Sequence, residues 1–462
     1  MTRFFLVILL SYSSLSFAAT FEAASANYNK KNYPLAYTQF LELAGLGNKD
    51  AQAAIGYMHL KGQNAKKDAV EALAWFQLAA EEEKDTKIVN ARNSIRKTLT
   101  KSQLEWAEQR FVELKKDYGL AEVRERLLPT NKKGGLLGFK LYRSKRKIPP
   151  RYPALASRSA LNGWVDIDFM VAKDGTTRFH TVINYSDQIF INSALESVQA
   201  FLYDPAKLDN QAIDVYGIIN RIRYVIEGSK VRHSNIANIL DDLKAKAVIG
   251  GGKDRYLYAS TLGTLGPYMD RKTRATHSGI NKWYIRSAVD GYPLAKYRLA
   301  SRIHYGQNCQ IDDYKSQFWL EGAAKDGVTE AQLLLGIEHL SGVRYKKDEK
   351  TGLQWIAKAA DMGLDHAQLK LSWILATHPN ASVRDPQLAK SYFSKISPEE
   401  YLDLLSWHET NAAIHAALGD FKHAVKSQKK AIKQAKKHDL PLENFKINLQ
   451  KYQNNTALSE LL

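Results

Sequence analysis

The chain is nearly without cysteine: among its 462 residues Cys309 stands alone. An intramolecular disulfide is therefore excluded, and an oxidising compartment would supply no covalent staple. Cys309 itself reads as a small residue in a connection between helices. The 12 prolines are scattered, so no long Pro-rich spacer is present. Long apolar runs are missing too. The clearest, Phe4 to Leu10, gives way to Ser11, Ser13, Ser14 and Ser16, well short of the roughly 20 residues a spanning helix needs. No segment carries a His-Glu-x-x-His helix, a serine nucleophile elbow or paired cysteine ligands, the signatures that zinc hydrolysis, acyl transfer and thiolate metal sites require. Gly250-Gly251-Gly252-Lys253 invites a phosphate-loop reading. However, Ala247 occupies the first glycine position, and Asp254 stands where Ser or Thr would bind magnesium, so the stretch reads as a hinge. His180 has no metal-ligand partner near it in sequence and reads as structural. Asp166 and Asp168 share one strand face and read as its solvent side, not as an acid–base pair. No catalytic residue, cofactor or metal is expected, and the chain reads as non-enzymatic.

What is present starts at the N-terminus. Arg3, the apolar run and the small-x-small Ser16-Phe17-Ala18 predict a signal peptide over residues 1–18, cleaved after Ala18 or Ala19. Periplasmic export follows, with inner-membrane anchoring through residues 4–17 as the alternative. The net charge of +18 on an exported chain points to anionic envelope polymer or lipid surfaces and away from nucleic acid; solubility accounts for it equally well. A length of 462 residues and a 45% hydrophobic content allow two to four ordinary globular domains.

Residues 19–128 read as helical. Ala51, Gly56, Gly62, Trp75, Ala79 and Ala80 fall in an order that puts small residues where two helices approach. The same order returns after the central domain, over 229–395. Trp283, Trp319 and Trp355 are spaced 36 residues apart, as are Gly291, Gly327 and Gly363, and Ala295, Ala331 and Ala367. The pattern resembles the Sel-one-like repeat, a cousin of the tetratricopeptide repeat. That resemblance implies helix pairs too small to bury their own apolar faces, stacked into a solenoid with a concave binding side. The three tryptophans are expected to fill interfaces between successive pairs. Residues 396–462 end the chain with a hairpin resembling a tetratricopeptide unit. Its last helix sets Phe421, Ala424, Val425, Ala431, Ile432 and Ala435 against a lysine face of Lys422, Lys426, Lys429, Lys433 and Lys437. This is a candidate basic surface. Residues 129–150 form a basic linker, expected to be extended and solvated.

The central stretch, 151–228, departs from helical spacing. Val165, Ile167, Phe169 and Val171 alternate with polar neighbours, the period of a strand. Lys173-Asp174-Gly175 supplies a turn, and a second, less regular strand covers 176–184. Phe190, Ala194, Val198 and Phe201 mark a helix that ends before Pro205. A last strand runs from Val215 to Ile226, with Tyr216, Ile218, Ile222 and Tyr224 on one face and Arg221 and Arg223 on the other. Together with Tyr152-Pro153, Asn162-Gly163 and Phe201-Leu-Tyr203-Asp-Pro205, this order resembles the C-terminal domain of TonB, the energy transducer of Gram-negative bacteria. The resemblance implies capture of an extended segment by strand addition at an exposed edge. It makes Tyr152, Pro153, Tyr216, Arg221, Arg223 and Tyr224 the candidate peptide-binding edge. The membrane helix and spacer of TonB have no counterpart in this reading.

The expected fold class is therefore α+β and multidomain, with helical repeat solenoids flanking a small β-α-β TonB C-terminal-like domain. The expected function is a periplasmic adaptor for protein partners of the cell envelope, with outer-membrane receptors as a further option. An atypical TonB-family component of transport across the outer membrane is the first alternative, and a cell-wall or lipopolysaccharide binder the second.

Overall fold

A computed structural model describes residues 18–64, 66–82, 86–130, 143–208, 211–224, 226, 233–265, 277–306, 309–398, 401 and 403–460. The predicted signal peptide lies almost wholly outside them. Helices α1 (Phe21–Asn29), α2 (Tyr33–Gly45), α3 (Lys49–Lys61), α4 (Ala69–Ala79), α5 (Thr86–Arg96), α6 (Lys101–Tyr118) and α7 (Leu120–Leu127) come first. The middle of the chain holds β1 (Arg143–Arg146), α8 (Ala154–Arg158), β2 (Gly163–Val171), β3 (Thr177–Tyr185), α9 (Ile191–Gln199), β4 (Leu202–Asp204), β5 (Ala206–Leu208), β6 (Gln211–Ile213) and β7 (Val215–Tyr224). Helices then resume with α10 (His233–Ile249), α11 (Gly252–Leu265), α12 (His277–Val289), α13 (Pro293–His304), α14 (Asp313–Lys325), α15 (Thr329–Ser341), α16 (Glu349–Asp361) and α17 (Asp365–Thr377). The last are α18 (Pro386–Phe393), α19 (Leu404–Ala417), α20 (Phe421–Lys437) and α21 (Glu443–Gln453).

The repeat period has a backbone cause. Gly47, Gly291, Gly327 and Gly363 have φ of 86°, 85°, 91° and 87°, a left-handed conformation that side chains with a Cβ resist. At each, the glycine N–H donates three residues back, and the next N–H donates five residues back, to Leu43, Ser287, Ala323 and Ala359 respectively. These are Schellman turns in one register, and they end one helix and start the next. The aspartates Asp68, Asp312 and Asp348 cap α4, α14 and α16 through their side chains, a second 36-residue signal that the tryptophan and glycine spacing overshadows. Within a repeat the paired helices touch at backbone distance. A Cβ on Gly336 would sit 2.6 Å from Ile356 Cγ1 and 2.7 Å from the Gly352 carbonyl, and one on Gly56 would sit 2.9 Å from Phe76. Of the three spaced tryptophans Trp319 is fully buried. Trp283 and Trp355 are half-buried.

Two compact units emerge. One joins residues 1–132 to 234–328, so the sequence on either side of the central domain packs together. Phe21 donates its backbone N–H to the Asp290 carbonyl at 3.0 Å, Asn48 Nδ2 lies 3.1 Å from Asp290 Oδ1, and Trp319 Nε1 donates to Leu127 O at 2.7 Å. The other unit joins 133–233 to 329–462. The helical region read as one block over 229–395 is thus divided at Val328, because its earlier helices pack with α1–α7 and its later ones with the sheet.

In the second unit the main sheet is antiparallel in the order β3-β2-β7, with Val165 opposite Ile222 and Phe169 opposite Ile218. Their shared face meets Ala194 and Val198 of α9, all buried, which is the expected amphipathic packing. Two short ladders, β1 with β4 and β5 with β6, accompany it. The basic linker therefore ends in structure: Arg143 to Arg146 pair with β4, and Arg146 donates to the carbonyls of Ala200 and His438 at 3.1 Å. Residues 131–142 of that linker lie outside the described residues.

Candidate functional site

The two margins of the sheet differ. β3 is met by helices of its own unit, and the contact runs through one buried carboxylate. Asp403, 1% exposed, caps α19 by accepting from the Ser406 N–H at 3.1 Å and the Ser406 hydroxyl at 2.8 Å. It also accepts the Phe179 backbone N–H at 2.6 Å and lies 3.5 Å from His180 Nδ1. Burial works against its charge, but His180, Ser406 and Arg178 more than offset this and hold the carboxyl below the usual range. Phe179 accordingly adopts φ of 54° at the point where β2 and β3 slip register, so strand irregularity and helix contact coincide. Further along, Thr181 Oγ1 reaches His366 Nδ1 at 2.6 Å. Arg178 Nη1 pairs with Glu409 of α19 at 2.7 Å. Burial, with Asp174 and Asp403 nearby, raises Glu409 to about 7 against the pull of that guanidinium. α17 and the residues at the start of α19 thus engage β3 from Arg178 to Thr181. β7 pairs with β2 alone among the described residues.

The six residues read as a peptide-binding edge separate in depth. Tyr224 is 1% exposed; its ring stacks on Phe190 at 4.5 Å and its hydroxyl donates to the Phe190 carbonyl at 3.3 Å. Tyr152 packs edge-on against both rings and donates to the Leu161 carbonyl at 2.6 Å, while Pro153 starts α8. These tyrosines belong to the core behind the sheet, where their rings pack together with Phe190. Tyr216 packs against the α15–α19 core with its hydroxyl buried. Arg221 lies opposite Asp166 and binds it, Nε to Oδ1 at 2.6 Å, with its guanidinium 4.2 Å from the Trp164 ring. Asp166 is consequently 8% exposed, and its reading as a solvent-side residue is corrected by this cross-strand pair. Of the six, Arg223 is the exposed one. The five lysines Lys422, Lys426, Lys429, Lys433 and Lys437 are all exposed along α20.

Sequence reading missed a cavity of about 340 Å³ where the β2–β3 turn and the start of β7 face α17, α19 and α21. Phe179, Asp214, Lys370, Trp373, Asn448 and Glu460 are among its walls. Lys370 is 6% exposed, and its Nζ stands 5.3 Å from the Phe179 ring centre and 5.4 Å from that of Tyr216. No acid is close enough to pair with it among the described residues. Burial lowers its pKa to about 8, with Asp214 and Glu460 pulling the other way. In the 36-residue register its position is held by Arg298 and Leu334, so a lysine on the packed face of one repeat was the available signal.

One group has a donor set that suits a metal: His415, Asp420 and His423, whose ligand atoms lie within 4.8 Å of one another. Both imidazole Nδ1 atoms point at Asp420 Oδ2, at 3.3 and 2.6 Å, while the carboxylate also caps α20. The arrangement is complete as a helix cap.

Comparison with known proteins agrees with this architecture. Residues 148–226 match the family model for the Gram-negative bacterial TonB protein C-terminal. Residues 49–83, 293–328 and 329–364 match the Sel1 repeat. No curated protein matches the chain. Among solved structures it is similar to a Sel1 repeat protein from Oxalobacter formigenes, at 26% identity over 29% of this chain and 96% of that one, with a TM-score of 0.26. It is also similar to a protective antigen of uropathogenic Escherichia coli strains displaying an SLR fold, at 16% identity over 92% of this chain and 76% of that one, with a TM-score of 0.35. Both matched domain types mediate protein–protein interactions in general. The chain is a protein of Sel1 repeats that carries one TonB C-terminal-like domain.

Proposed function

We propose that the protein is a non-enzymatic adaptor of the Gram-negative envelope, working in the periplasm. Its TonB-like domain takes an extended segment of a partner on the outer margin of β7, and its repeats hold a protein surface. The observation that carries this reading is the asymmetry of the sheet: Asp403 and His366 occupy the β3 side, whereas β7 has β2 as its strand partner among the described residues. Main-chain pairing at such a margin supplies affinity, and side chains standing off it supply selectivity. Arg223, exposed on that strand, takes the role first shared among six residues. Engagement of outer-membrane receptors, as an atypical TonB-family component of transport, is the narrower version of the same chemistry. The exposed lysine face of α20 favours a second reading, contact with an anionic cell-wall or lipopolysaccharide surface.

A photo-reactive amino acid in place of Arg223 tests the adaptor reading in envelope preparations. Adducts mapping by mass spectrometry to extended segments of envelope proteins are expected, together with their loss when a synthetic copy of the captured segment is added. Adducts confined to folded helical surfaces, or insensitive to that competitor, would refute strand addition.

A further inference from the structure

The cavity around Lys370 has no part in strand addition at β7, yet its walls are organised for a ligand. Arg178 is already satisfied by Glu409 at 2.7 Å and by Asp174 at 3.7 Å. The other charged groups on the wall are Lys173, Lys370 and Lys451 facing Asp214 and Glu460, so that with Arg178, Glu409 and Asp174 four cations meet four carboxylates and the wall favours a ligand carrying both signs. Lys370 is nine-tenths buried, lies over two aromatic rings and lacks a carboxylate partner among the described residues. An ammonium in that position is costly unless an anion meets it. Asn444 and Asn448, one turn apart on α21, present neutral amides to the same space and suit a peptide or amide group. A volume of about 340 Å³ is at the small end of ligand sites, which run from roughly 300 to 1,000 Å³.

We propose that this cavity binds a small zwitterion of amino-acid to dipeptide size, its free carboxylate on Lys370 and its ammonium toward Asp214 and Glu460. A phosphate dianion suits the site less well, because the same two carboxylates would face it at close range. Phe179 forms a wall of the cavity and also joins β3 to Asp403, so ligand in the cavity and the sheet–helix contact share a residue.

Isothermal titration of the full chain with alanylalanine, its C-terminal amide, its N-acetyl derivative and inorganic phosphate tests the assignment. Saturable binding of alanylalanine is expected, with the amide weaker by about 10- to 100-fold, the range for losing one charge-assisted contact. Lys370→Met is expected to lose binding to the same degree, and Lys101→Gln, at an exposed site on α6, to leave it unchanged. Asn448→Leu narrows the cavity from another helix without altering Lys370. It should also weaken binding, so the assignment stays testable if the Lys370 variant fails to fold. No saturable binding of alanylalanine, equal binding of its amide, tighter binding of phosphate, or full binding by a folded Lys370→Met chain would each overturn the proposal.

Discussion

Replacing Lys370 by methionine should stabilise the protein at neutral pH. Burial takes this ammonium from its ordinary 10.5 to about 8, a drop of about 2.5 pH units at roughly 1.36 kcal/mol each, or about 3 kcal/mol. The side chain is 6% exposed, so solvent screens little of that cost. Methionine keeps an apolar stem of similar length and forfeits the contacts with the Phe179 and Tyr216 rings, worth about 1 kcal/mol together. A net gain of about 2 kcal/mol remains. The sign of the pH dependence follows from linkage. Between pH 8 and 10.5 the unfolded chain holds this proton and the folded chain does not, so wild-type stability from this group rises with pH across that window. The burial cost is fully present below pH 8 and mostly gone near pH 10. Urea denaturation of the full chain, wild type against Lys370→Met, at pH 7 and pH 10 measures both limits. A variant less stable than wild type at pH 7, or an identical difference at the two pH values, would refute the reasoning. Natural proteins retain a destabilising buried charge where function uses it, which links this measurement to the ligand proposed for the cavity.

Other consequences are more local. Asp403→Ala strands the Phe179 and Ser406 donors and removes the carboxylate that faces His180 and Arg178. It should cost about 3–5 kcal/mol in chemical denaturation. Because the folded state depresses this carboxyl, its contribution is present above the unfolded value near pH 4 and is lost as pH falls further, so acid denaturation of wild type should begin there. Gly336→Ala forces a methyl to within 2.6 Å of Ile356 and 2.7 Å of the Gly352 carbonyl. An overpacking loss of about 1–3 kcal/mol is expected, against a few tenths for an exposed helix site such as Lys422→Ala; equal costs at the two would contradict the close packing. Changing Lys422, Lys426, Lys429, Lys433 and Lys437 to Gln should abolish any salt-sensitive binding to vesicles rich in anionic lipid while leaving the thermal midpoint unchanged; unaltered binding would remove α20 as an anionic-surface site.

The repeat architecture was legible because its causes are local. A glycine that must take φ near 87° every 36 residues, and a small residue wherever two backbones meet, leave their marks directly in the chain. The strands of the central domain were legible for the same reason, through alternation. Alternation assigns faces, though, and not what covers them. It placed Asp166 with the solvent when Arg221 lies across it; the TonB resemblance, in turn, put Tyr224 at a binding edge when its ring is buried on Phe190. The Asp403 contact could not be read at all, since Phe179 and its acceptor are 224 residues apart. Lys370 lay between these cases: its place in the register marked it as a lysine on a packed face, but the cavity that explains it is built from elements 200 residues apart.

The account rests on β7 being the margin that accepts a partner, and hydrogen exchange of its backbone amides tests this most directly. Adding the segment captured at Arg223 should slow exchange at alternate amides from Val215 to Tyr224 and leave β3, whose Phe179 N–H is already held by Asp403, unchanged. Protection appearing on β3, or on the helices with none on β7, would contradict it.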